Sequence, residues 1–77
     1  MGVSSVDSFD TTYATRVDDA SSTVTYVGEA SIRSPEAAPV WRIKKLETVG
    51  SVLSITWADG NMSFDNVWND RATLSYS

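Results

Sequence analysis

The sequence predicts an all-β domain, a small antiparallel barrel or sandwich of about six short strands. Three observations predict it. Runs rich in Val, Thr, Ile, Tyr and Trp alternate apolar with polar residues; turn-forming pieces such as "DDAS", "TVGS" and Asp59-Gly60 recur between them; and little of the chain carries helical spacing.

Residues 1–10, "MGVSSVDSFD", mix Ser and Asp with isolated Val3, Val6 and Phe9. Ser and Asp favour caps and turns over helix interiors, so this piece reads as an extended or weakly helical arm. Its apolar residues are too few to fold alone. Val3, Val6 and Phe9 are therefore candidate contacts with the chain's own sheet or with a neighbouring subunit. The remaining residues, 11–77, form a single β domain.

"TTYATRV" (11–17) and "STVTYVGEA" (22–30), separated by polar residues, form a β-hairpin signal. Tyr13, Thr15 and Val17 fall on one face of the first strand, and Val24 and Tyr26 on one face of the second; Gly28 marks a place for a bulge or bend. "SIRSPEAAPV" (31–40) contains Pro35 and Pro39 and reads as an outer loop, with room for a short helical turn begun at Pro35.

The clearest alternation follows. "VWRIKKLE" (40–47) sets Trp41 and Ile43 against Arg42 and Lys44, and "VLSITWA" (52–58) sets Leu53, Ile55 and Trp57 against Ser54 and Thr56. Asp59-Gly60 suits a type I′ turn, in which both central residues have positive φ, and "NMSF" (61–64) reads as the returning strand. This meander is expected to gather Trp41, Ile43, Leu53, Ile55, Trp57, Met62 and Phe64 on one inner face. Asp65 is placed to cap a short helical turn over residues 65–71 that folds Trp68 back, and "ATLSY" (72–76) reads as the last strand.

Composition narrows function. A chain of 77 residues buries only about 60% of its unfolded surface and needs support. With no Cys and no His, disulfides and ordinary zinc sites are excluded, leaving dense aromatic packing or subunit association. The commonest nucleophile and the commonest general base near neutral pH are missing too, as are nucleophile-elbow, phosphate-loop and metalloprotease motifs, so no enzymatic activity, metal or cofactor is expected.

A net charge of −4 opposes direct nucleic-acid binding; the sole basic cluster, "RIKK" (42–45), is split by alternation between two faces. No run approaches the ~20 apolar residues of a membrane helix, and residues 1–10 lack the pattern of a signal peptide, so an aqueous compartment is expected. Asp59, Asp65 and Asp70 lack calcium-loop spacing and serve more simply as turn formers, cap and partner to Arg71. A paired-carboxylate glycosidase site would need a pocket that so narrow a barrel does not offer. Trp41, Trp57 and Trp68 read first as core; a sugar-stacking role needs an exposed ring, and Trp68, on the irregular segment, is the candidate.

The strand "YVGEA" (26–30), the Pro- and Ser-containing loop, the strand "VWRIKKL" (40–46) and the closing "ITWADGNMSFDNVWNDRATLSYS" (55–77) resemble a group of short proteins and terminal modules of tailed bacteriophages and viral metagenomes. The likeness covers roughly residues 23–77 and is most specific in the last twenty. It implies a component of a phage particle, made in the host bacterial cytoplasm; taken with the composition and the small size of the chain, the expectation is a non-enzymatic head, neck or tail accessory protein that contacts other virion proteins and forms homo-oligomers. Such subunits gain stability by packing against one another. The arm residues, the open sheet edges and the outer pair Arg42 and Lys44 are then candidate contact surfaces. A surface module binding a host glycan or surface protein through Trp68 is the alternative, and an inhibitor of a host protein is a third reading.

Overall fold

A computed structural model describes residues 13–77; Val3, Val6 and Phe9 of the expected arm lie outside them. Four strands form an antiparallel meander, β1 (Tyr13–Asp18), β2 (Val24–Ser31), β3 (Pro39–Val49) and β4 (Val52–Trp57), paired in that order. A two-residue strand, β5 (Asn66–Val67), pairs with the start of β3, and a 3-10 helix, η1 (Trp68–Thr73), follows. The fold is all-β, as the alternation predicts.

The expected barrel or sandwich is replaced by one sheet that stays open, because β1 and β4 do not pair with each other. The long strand β3 explains this. Its outer side is shared between β5, which pairs at Pro39 and Trp41, and β4, which pairs from Lys44 to Val49, so the C-terminal third covers one face instead of closing the sheet. The result is flat, 41 × 30 × 19 Å. Its radius of gyration is 13.7 Å, against about 11 Å for a compact chain of this length.

Two expected strands are absent. "NMSF" does not pair, although the Asp59-Gly60 turn before it has the required positive φ of 60° and 72°. "ATLSY" is largely taken up by η1 and its exit, and contributes a single bridge between Tyr76 and Ala58. The helical turn begins at Trp68 instead of Asp65. Val67 precedes it without a side-chain cap, and the Asp65 carboxylate accepts a hydrogen bond from Asn66 Nδ2 at 3.2 Å. Gly28 makes no bulge: it sits in register opposite Arg16 and Ile43.

The core lies between the sheet and the C-terminal cover. Ala30, Trp41, Ile43, Ala58 and Trp68 are buried, with Ala14, Tyr26, Val40, Leu74 and Tyr76 packed around them. Trp41 and Trp68 meet with ring centroids 6.0 Å apart and tilted by 41°, an aromatic pairing that supplies area a small chain otherwise lacks. Polar groups frame the pair. Trp41 Nε1 donates to the Pro35 carbonyl at 3.0 Å; Arg71 lies 4.5 Å over the Trp68 ring and donates to Asp18 at 2.9 Å; Arg16 lies over Trp41 and donates to Glu36 at 2.7 Å.

Tyr76 pins the end of the chain, its hydroxyl donating to the Arg71 carbonyl at 2.8 Å. Burial, and secondarily the neighbouring Tyr26, push its pKa up to about 12. The sign follows directly. Between pH 10 and about 12 the unfolded chain releases a proton that the folded chain keeps, so the stability present below pH 10 is lost as pH rises through that window. The expected loss is on the order of 2 kcal/mol, discounted because the ring is only partly buried. Denaturation at stepped alkaline pH should show this slope in the wild type and a flatter one in Tyr76→Phe.

Candidate functional site

The register between β3 and β4 decides what the second face of the sheet presents. Gly50 and Ser51 form a two-residue loop, with Gly50 at φ +62° where such a hairpin requires it, so Val49 stands opposite Val52. Counting back sets Thr48 opposite Leu53, Leu46 opposite Ile55 and Lys44 opposite Trp57. Directly opposed residues share a face. Leu53, Ile55 and Trp57 therefore lie with Arg42 and Lys44, on the side away from Trp41 and Ile43. The single inner face expected for these rows is thus corrected: the apolar rows of β3 and β4 point to opposite sides. Met62, 58% exposed, and Phe64 also lie outside the core.

This open face carries Val17 at 66%, Leu53 at 56%, Ile55 at 55% and Phe64 at 40% exposure. A cationic and aromatic group lies at one end of it. The Arg42 guanidinium sits 4.7 Å from the Phe64 ring, 5.2 Å from Tyr13 and 6.0 Å from Trp57, and donates to Glu29 at 2.8 Å; Tyr13 and Phe64 stack at 5.5 Å. The Lys44 ammonium lies 5.6 Å over Trp57 with no carboxylate partner among the described residues. Such contacts hold long cationic side chains flat on a sheet.

The expected contact residues fare differently. Arg42 and Lys44 do share a face, while Lys45 lies on the other, 5.1 Å from the Tyr76 ring and 3.4 Å from Glu47. Arg42 is held by its neighbours, and Lys44 is the freer charge. Trp68, the candidate for the alternative sugar-stacking role, is 4% exposed and belongs to the core, the role read first for all three Trp residues. Val3, Val6 and Phe9 fall outside the described residues. Tyr13, Phe64 and Trp57 were not expected around Arg42; the two-residue length of the Gly50-Ser51 loop is the signal that would have placed Trp57 there.

The edges complete the surface. β1 carries Arg16 and Asp18, both in ion pairs with other parts of the chain. β4, "VLSITW", carries no charge and no Pro. Trp57 N–H and C=O are taken by Ser77, at 3.2 and 3.1 Å. The described residues enclose no pocket and include no cluster of side chains fit to hold a metal ion. None of their helices is long and apolar enough to cross a membrane. An extended, partly apolar surface of this kind suits contact with another macromolecule better than enclosure of a small molecule. Compared with known protein families, characterised proteins and solved structures, the chain matches none.

Proposed function

We propose that the chain is a non-enzymatic structural component of a tailed-phage virion, a head, neck or tail accessory protein that acts by packing against other virion proteins. The observation that carries this reading is the half-covered sheet, whose second face leaves Val17, Leu53, Ile55 and Phe64 exposed. A free monomer rarely leaves so much of one sheet face apolar without a partner for it. The sequence resemblance of residues 23–77 to phage proteins supplies the context. Neighbours in the particle, and further copies of the chain, are the partners proposed.

The test is incorporation into particles. Deleting residues 1–10 is expected to leave the sheet folded by circular dichroism while lowering the amount of chain in purified particles several-fold. Unchanged incorporation would remove the arm from the proposal, and absence of the intact chain from purified particles would favour an inhibitor of a host protein.

A second reading, recognition of a host glycan at the particle surface, is favoured by Trp57, a partly exposed ring beside Lys44 on the open face. Trp57→Ala should then abolish fluorescence quenching by host polysaccharide without unfolding the chain. No quenching in the wild type would remove the glycan reading.

A further inference from the structure

Strand β4 is an edge without the usual guards. Natural edge strands are blunted by Lys, Pro, bulges or covering segments, and "VLSITW" has neither charge nor Pro and pairs with β3 in continuous register from Val52 to Trp57. Backbone direction alternates along a strand. Ala58 N–H points inward, donating to the Ile43 carbonyl at 2.8 Å, and Trp57 points outward to Ser77. Leu53 and Ile55 therefore turn their N–H and C=O groups outward, where no backbone partner meets them among the described residues.

We propose that β4 pairs antiparallel with β4 of a second copy of this chain, about a two-fold axis that sets Ser54 opposite Ser54 of the partner subunit. The register follows from the available groups. With Ser54 on the axis, Leu53 faces the partner's Ile55 and Ile55 faces the partner's Leu53, so every outward group of both residues is bonded across the joint. Moving the axis to Ile55 would require the outward groups of Trp57, which Ser77 already holds. On the open face the same register packs Leu53 and Ile55 of one copy against the same pair of the other, joining two exposed apolar surfaces into one.

A second copy fits better than a charged partner. In a chain of net charge −4, self-association costs least at an edge that sets no like charges opposite each other, and β4 is that edge while β1 carries Arg16 and Asp18. The joint is short. It buries less than the roughly 800 Å² per partner of a standard stable interface, so the dimer forms in a concentration-dependent way. The pairing extends the assembly reading but does not depend on it, since it is tested on the purified chain with no particle present.

The test is sedimentation of the full chain from micromolar to millimolar concentration, with expected mass rising from one copy to two. Ile55→Lys, at an exposed site, should weaken association about tenfold or more while the circular dichroism stays that of a folded sheet. Ser54→Cys adds the chain's only thiol at a position where opposed Cα atoms lie about 4.5 Å apart, within disulfide reach. Mild oxidation should convert it to a covalent dimer much faster than Thr15→Cys on the opposite edge. A single-copy mass at every concentration, or equal cross-linking of the two variants, overturns the proposal.

Discussion

Trp68→Ala is expected to bring the domain close to unfolding at 25 °C. Truncating a buried Trp costs about 3–5 kcal/mol. A chain of 77 residues has a total stability of roughly 4–12 kcal/mol, and one whose core is confined to one face of an open sheet belongs at the low end. Much is lost with the ring. It leaves Trp41 without its aromatic partner, uncovers Gly28 and strands Arg71, which lies 4.5 Å over the ring and reaches Asp18 beside it. Urea denaturation followed by circular dichroism should show the midpoint falling to near zero denaturant. A loss under about 1 kcal/mol would contradict the core role given to a ring that is 4% exposed. The same result removes Trp68→Ala as a probe of ligand binding, because a variant that unfolds loses binding for that reason alone.

Local pattern carried most of the sheet. The β1–β2 and β3–β4 hairpins, the loop holding Pro35 and the positive φ values at Asp59 and Gly60 all follow from alternation and turn chemistry. Long-range choices were less legible. "NMSF" and "ATLSY" have strand-like spacing, but a strand needs an open ladder beside it. The outer side of β3 is divided between β4 and β5, and the outer groups of Trp57 are taken by Ser77 rather than by a full sixth strand. Nothing in those short segments records that their partners are already occupied.

The open face was hidden for a different reason. Matching apolar row to apolar row puts Trp57, Ile55 and Leu53 with Trp41 and Ile43, the arrangement that buries most surface. The two-residue loop at Gly50-Ser51 overrules it, because loop length sets the register and a shift of one residue moves a whole row to the other face. A hairpin that accepts the less buried arrangement leaves an apolar row facing out, the observation on which the assembly proposal rests. Phe64 had no such local cue, since its place beside Tyr13 and Arg42 depends on where an irregular segment crosses the sheet.

Gly28→Ala is expected to destabilise the domain by about 2–3 kcal/mol even though it adds only one methyl group, and Gly28→Val to prevent folding. In most strands the first change is mildly favourable, because Gly in a strand interior costs roughly 0.5–1 kcal/mol relative to Ala. Here the sign reverses. A Cβ at Gly28 would lie 2.5 and 2.7 Å from Cε3 and Cζ3 of Trp68 and 3.3 Å from Cε3 of Trp41, and two packed rings have no room to retreat. Removing the indole atoms that collide should restore the usual sign. Trp68→Phe lacks the outer part of the indole, so Gly28→Ala made in that background should cost little or become stabilising, giving a coupling of about 1–3 kcal/mol. Additive losses would mean that the close approach of Trp68 to Gly28 is not what selects glycine there.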